Sequence, residues 1–310
     1  LPQGEFKELT DQIKQQQTKA VTEGYGGQKF TTQIKNGFKN VATMVTGADI
    51  WNGMIQGAKG AVNAVMDVNA AVIDLRKVSD ASDTQTKVFP LGSGYIVFGT
   101  SISKPSGEKT NGPKGGYDIW VVRLDASRNV IWNKEYGTAS DDRMYDVTPT
   151  SDGNFVFVAT LTQPLTPRIA GSPGLGDVST SDIGGTDIWL VKIDPLGNIL
   201  WEKRFGTTSD ESLGSVIETT DGGLLVGAGV RAPTANNDLT TPSKGAGDYW
   251  IIKTNANGVK QWDSTLGTTS GETIGKLSNT LDGGYLISGS SSGSDGDRTG
   301  TLYGGEDYWV

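Results

Sequence analysis

The feature that most constrains this chain is a repeat with a period of 59 to 69 residues. Gly-Gly-Tyr-Asp-Ile-Trp at 115–120 returns as Gly-Gly-Thr-Asp-Ile-Trp at 184–189. It appears again as Gly-Ala-Gly-Asp-Tyr-Trp at 245–250 and as Gly-Gly-Glu-Asp-Tyr-Trp at 304–309. The repeat sets Asp118, Asp187, Asp248 and Asp307 each two residues ahead of Trp120, Trp189, Trp250 and Trp309. Twelve residues after each of the first three tryptophans stands another, at Trp132, Trp201 and Trp262. Gly-Thr follows at 137–138, 206–207 and 267–268, and seven of the eight tryptophans belong to this pattern. A chain of this kind stacks copies of one supersecondary unit.

Each unit reads as two hairpins. Residues 215–220 and 224–230 favour β structure and flank Asp221-Gly222-Gly223, a turn signal with counterparts at 92–94, 151–153 and 282–284. A variable loop leads to the Asp-aromatic-Trp strand, and Asp194-Pro-Leu-Gly-Asn198 turns that strand back into 199–205. Two hairpins make a four-stranded antiparallel blade, so the fold class expected is mainly β: a β-propeller with three complete blades and one partial. The blades run about 82–137, 138–206, 207–267 and 268–310, within a repeat domain 81–310. The tryptophans are expected to be core wedges rather than an aromatic ligand cage, and the repeated aspartates to fix turns by accepting backbone N–H groups.

The fourth unit reaches its first tryptophan and then Val310, which leaves a strand edge to be covered. Further blades, a segment of the N-terminal region or a partner's strand would each cover it. Continuation of the repeat is the expectation.

Residues 1–80 share none of this pattern and read as an α-helical N-terminal arm. Between 48 and 78, apolar or small residues step by four and three, through Ile50, Met54, Val65 and Val72 among others. Trp51, Ile55, Val62 and Met66 widen that face. It packs on the arm's other helices or the propeller, or it anchors the arm in a partner's groove or pore; the partner-binding candidates are then Ile50, Trp51, Met54, Ile55, Val62, Val65, Met66 and Val72.

Composition removes several chemistries. With no Cys and no His, there is no disulfide, thiolate nucleophile or imidazole base. Residues 81–310 carry 18 basic and 27 acidic side chains, a net −9 that repels nucleic acid and anionic lipid heads. No apolar stretch is long enough to span a membrane. A chain that starts at Leu1 fits removal of a targeting peptide or trimming, and an exported protein is the expectation. Paired carboxylates remain, and Asp141, Asp142, Asp210, Glu211 and Glu272 recur after Gly-Thr. They are the glycosidase candidates, although recurrence favours a turn element over a unique catalytic pair. Asp295 and Asp297 offer oxygens to calcium, but the loop lacks EF-hand spacing and the loops around Asp177 and Asp238 look dissimilar. The expectation is no catalytic residue, no cofactor and a solvated turn at that loop.

The segments 187–203 and 219–227 resemble the propeller repeat of large exported Bacteroidota proteins, many of them type 9 secretion cargo. The Asp-x-x-Gly-x-x-x-Trp portion is similar to the tryptophan-docking motif of quinoprotein-like propellers, a class that includes periplasmic scaffolds without quinone or catalysis. The resemblance covers about 82–310 and implies a periplasmic or secreted interaction protein of the Gram-negative envelope. Its arm would dock on or plug a partner such as an outer-membrane channel, with the type 9 secretion translocon the leading example. A secreted carbohydrate-binding or adhesive propeller is the alternative, and a glycoside hydrolase stands third.

Overall fold

The computed structural model describes residues 84–105, 109–162, 177–180 and 183–310. The chain divides into two units, Leu1–Asp67 and Val68–Val310, and every described residue belongs to the second. The helical arm expected over 1–80, with Ile50, Trp51, Met54, Ile55, Val62, Val65, Met66 and Val72, lies outside the described residues.

Among the described residues fifteen strands form four consecutive sheets. The first holds β1 (Thr84–Leu91), β2 (Gly94–Ser101), β3 (Asp118–Leu124) and β4 (Val130–Tyr136). The second holds β5 (Asp142–Pro149), β6 (Phe155–Leu161), β7 (Asp187–Ile193) and β8 (Ile199–Phe205). In the third are β9 (Glu211–Glu218), β10 (Leu224–Val230), β11 (Asp248–Thr254) and β12 (Lys260–Leu266). The fourth consists of β13 (Glu272–Asn279), β14 (Tyr285–Ser291) and β15 (Asp307–Trp309). All neighbours pair antiparallel in chain order, so each sheet is a simple meander, the blade of a β-propeller.

The first strands adjoin one another, β1 beside β5, β5 beside β9 and β9 beside β13, which makes them the inner edge of the stack. Apolar residues fill the spaces between sheets because both faces of a middle strand are covered. Ile96, Phe98, Ile119 and Val121 of the first sheet meet Met144, Val147, Phe155 and Phe157 of the second. The opposite face of the second sheet puts Val156, Val158, Ile188 and Leu190 against Val216, Val226 and Trp250 of the third. Leu225, Tyr249 and Ile251 then meet Ile274 and Leu277 of the fourth. Trp189 and Trp250 are buried in these layers, and Trp120 is buried with Val97, Val122 and Leu124 on the first sheet's other face, each removing roughly 200 Å² from water, up to ~5 kcal/mol.

Two sequence expectations change. The first strand of the third blade begins at Glu211, four residues before the expected 215, because a bulge at Gly214 lets the strand continue toward its acidic start. Bulges fall at the matching places in β5 and β13. The second tryptophans are also not uniform core wedges: Trp132 and Trp201 are half-buried, and Trp262 is 43% exposed. No helix among the described residues is long and apolar enough to cross a membrane.

Candidate functional site

The recurring polar residues converge where one sheet passes to the next. Each repeated aspartate opens the third strand of its sheet and accepts a backbone N–H from four residues earlier. Asp118 takes that of Lys114, Asp187 that of Ile183 (3.2 Å), Asp248 that of Lys244 (2.6 Å) and Asp307 that of Tyr303 (2.6 Å). A carboxylate can accept the loop's otherwise orphaned donors in a geometry that an apolar residue cannot provide.

The acids that follow Gly-Thr do the matching work from the other side. Asp142, Glu211 and Glu272 are the first residues of β5, β9 and β13. Thr138 N donates to Asp142, while Thr207 N reaches Glu211 at 3.0 Å and Thr268 N reaches Glu272 at 2.9 Å. The same threonines donate their hydroxyls to the same carboxylates, at 2.9, 2.5 and 2.6 Å. Asp141 and Asp210 accept from the backbone of Tyr117 and Thr186 at 3.1 and 2.8 Å. The glycosidase candidates are thus committed to closing the chain between sheets.

Burial brings like charges together here. Burial is the largest influence on Asp118 and raises it to about 6, with Glu135 adding to the rise. Asp142 is pushed up to about 7 by burial, assisted by the charges of Asp118 and Asp141. Glu211 rises to about 7 by burial, with Asp187 and Asp210 contributing, and Asp248 rises for the same reason, with Glu272 beside it. Arg204 forms a buried pair with Asp187 at 2.5 Å, and Lys109 with Glu135 at 2.6 Å.

Two recurrent anchors escaped sequence reasoning. Asp177, Asp238 and Asp297 accept from Gly137, Gly206 and Gly267 at 3.3, 3.2 and 2.9 Å, so the loops that looked dissimilar make one contact three times. Their variable distance from each Gly-Thr hides them. The residue after each second tryptophan is the other anchor, and its fixed position was readable. Glu202 accepts the Trp189 indole N–H at 2.5 Å and Asp263 that of Trp250 at 3.0 Å. They also hold Ser179 and Thr240, while Asn133 accepts from Thr110. The calcium candidates are engaged too: Asp295 accepts from Thr269 N at 2.8 Å, and Asp297 pairs with Lys244. Among the described residues no three carboxylates are grouped to share an ion.

A polar hub sits on the inner edge. Asp146 of β5 pairs with Lys87 of β1 and with Lys276 of β13 at 3.1 Å, and accepts from Ser215 Oγ and Val216 N of β9 at 2.8 and 3.2 Å. Burial pushes Asp146 up, but the bonds from Lys87 and Ser215 and the charges of Lys87 and Lys276 outweigh it and hold it below the ordinary carboxylate value.

On the outer edge, second tryptophans meet the turns of the following sheet. Gly197 has a φ of 75° and Gly258 one of 71°. A Cβ on Gly197 would stand 2.9 Å from Trp132 Cη2, and one on Gly258 would stand 2.8 Å from Trp201 Cζ3. Glycine is required at both for two reasons, backbone conformation and close approach. Lys134 and Tyr136 add bonds to the Gly197 carbonyl at 2.9 and 2.7 Å.

Two clefts open among the described residues. One of about 750 Å³ lies between the first two sheets, lined by Asn111, Lys114, Lys134, Tyr136, Asp177 and Asn198 among others. The second, about 610 Å³, lies at the starts of β9 and β13 and includes Asp210, Glu211, Arg231 and Glu272.

No family model matches the chain. An uncharacterized WD repeat-containing protein of Acanthamoeba polyphaga mimivirus is 23% identical over 202 residues, covering 58% of this chain and 14% of that protein. Among solved structures, a protein of unknown function from Bacteroides caccae overlaps 56% of this chain and 49% of its own, with 14% identity and a TM-score of 0.31.

Proposed function

We propose that this protein is a non-enzymatic interaction scaffold, a rigid stack of propeller sheets that holds binding surfaces in fixed relation. One observation carries the reading: the carboxylates that recur after Gly-Thr, the best catalytic candidates in the sequence, cap backbone donors at successive sheet junctions. Glu211, raised to about 7 and lining the 610 Å³ cleft, is the residue best suited to general acid chemistry. Both of its oxygens nevertheless take bonds from Thr207. The partial match to a WD repeat-containing protein supports a repeat body of this kind.

The proposal extends to an exported protein of the Gram-negative envelope whose arm engages an outer-membrane partner, as in the type 9 secretion translocon. This extension is supported by the sequence resemblance and by the apolar stripe through Met54 and Val65. Affinity purification of the full chain from its native source, followed by mass spectrometry, tests both parts. A Met54→Glu, Val65→Glu double variant should lose its partner while its sheets unfold at the wild-type temperature. A variant that retains every partner refutes the role of the arm. Hydrolysis of any glycoside that disappears in Glu211→Gln refutes the non-enzymatic reading.

The polar 750 Å³ cleft favours a second reading, carbohydrate binding, because its lining offers several hydrogen-bonding side chains. A glycan array with the full chain decides between them.

A further inference from the structure

Junctions in a repeat body have the same packing to satisfy, so a junction that departs from its neighbour carries information. The cleft of about 750 Å³ between the first two sheets lies at such a departure. Lys114 lines it and donates its backbone N–H to Asp118, as Ile183 does to Asp187 at the next junction. Tyr136 ends β4 where Phe205 ends β8. Asn198 follows Gly197 in the turn against Trp132, and Val259 follows Gly258 in the turn against Trp201. Sheet stacking is thus met by Ile, Phe and Val at these three places, and it does not call for the polar groups of the first junction.

The residue after Asn198 and Val259 decides whether space is left. Lys260, which opens β12, reaches across the second junction to the Asp238 carbonyl and to Asp263 at 3.0 Å. Its counterpart opening β8 is Ile199, a cleft-lining residue with no ammonium to send across. Asp177 and Asp238 hold matching positions, each accepting from the glycine of Gly-Thr. The second junction is bridged where the first is open.

The charges on the open walls are balanced. Lys114 pairs with Asp177, and Glu135 with Lys109 at 2.6 Å. Lys134, with the charge of Asp194 near it, donates to the Gly197 carbonyl and Asn198 Oδ1 at 2.9 and 3.1 Å. An ionic ligand would have to part Lys114 from Asp177 or stay uncompensated itself. Neighbouring hydroxyl groups meet no such cost, since one accepts from an ammonium while the next donates to a carboxylate. The bonds from Lys114 and Gly137 both fall on Asp177 Oδ2, which leaves Oδ1 to accept from a ligand. The exposed Asn111 amide adds a donor and an acceptor, and the volume falls in the range of about 300–1,000 Å³ typical of small-molecule sites.

We propose that this cleft binds a neutral oligosaccharide through paired hydroxyls, with Lys114, Asp177 and Asn198 as the contacts that set specificity. The site rests on the carbohydrate reading above and gives it a place, a charge class and named residues.

The test applies the full chain to an array of neutral and uronate-containing oligosaccharides, followed by isothermal titration with the neutral trisaccharide that binds best. Three variants, Lys114→Ile, Asn198→Val and Ile199→Lys, introduce residues that the same fold holds at the second junction, and each should unfold at the wild-type temperature. The first two should weaken binding about tenfold, and Ile199→Lys should abolish it by bridging the cleft. Asn111→Ala, at an exposed loop position, should weaken binding about threefold and keeps the test decisive should a junction variant fail to fold. A neutral sugar bound equally by wild type and all folded variants would put carbohydrate recognition on another surface and overturn this site alone. Binding confined to uronate sugars would overturn the charge argument and the proposal with it. An array on which no sugar binds would overturn both the site and the reading beneath it.

Discussion

Replacing Asp142 with asparagine should make the protein more stable at pH 8 and leave it nearly unchanged at pH 4. Asp142 is buried at the start of β5, close to Asp118, and burial followed by neighbouring charge raises it from 3.8 to about 7. An acid raised in the folded state keeps its proton there after the unfolded chain has released its own. Between about pH 4 and 7 the folded protein therefore binds more protons, and stability falls as pH rises through that window. A rise of about three pH units at ~1.4 kcal/mol each sets an upper bound of ~4 kcal/mol, reached above pH 7. The asparagine carbonyl can still accept from Thr138, and its NH₂ can donate toward Asp118, whose Oδ1 lacks a hydrogen-bond partner. Since the charge-assisted bonds to Thr138 weaken, about half of the bound should be recovered, ~2 kcal/mol at pH 8. For a body of this size that corresponds to roughly 4–8 °C in Tm. Urea unfolding followed by tryptophan fluorescence at pH 4, 6 and 8 reads the difference between variant and wild type. A variant destabilised equally at all three values would show that the carboxylate is a net asset and refute the argument.

Trp189→Ala and Trp262→Ala form a matched pair. The first should cost about 4 kcal/mol in urea unfolding because its ring is wholly buried, the second under ~1 kcal/mol because its ring is 43% exposed, and similar losses would contradict the layer assignment. Gly258→Ala should cost about 2–3 kcal/mol, combining a strained φ with contact against Trp201. A change below ~0.5 kcal/mol would mean that the turn does not press on the ring. Glu202→Ala removes the acceptor of the Trp189 indole and of Ser179, and should lower stability by about 1–2 kcal/mol; tryptophan emission unchanged from wild type would argue against that bond.

Much of the fold was legible because sheet stacking imposes strict spacing. The Asp-aromatic-Trp strands must be apolar on both faces and must begin with a residue that caps the loop, so residues 187–193 could be placed directly. The strand leading from Gly-Thr was harder. Glu211 and Ser212 look like turn residues, yet they belong to β9, whose bulge at Gly214 breaks the alternation that sequence reading relies on. Asp142, Glu211 and Glu272 were visible as a recurring set, but their bonds to Thr138, Thr207 and Thr268 depend on how the chain folds back between sheets. Trp262 shows a further limit. Its sequence environment matches that of Trp132 and Trp201, and its exposure depends on what lies against it in space.

The hub at Asp146 bears on how such an array comes apart. Repeats that touch only their neighbours can fray one at a time from a terminus. Here the second sheet holds the backbone of the third through Val216, and its carboxylate also takes the ammonium groups of the first and fourth. Loss of the fourth sheet would withdraw one counter-charge from an aspartate shielded from solvent, two sheets away, and so weaken the interior at the same moment. Denaturation of this body should then follow a single sigmoid rather than a staircase, with cooperativity conveyed along the axis by one side chain.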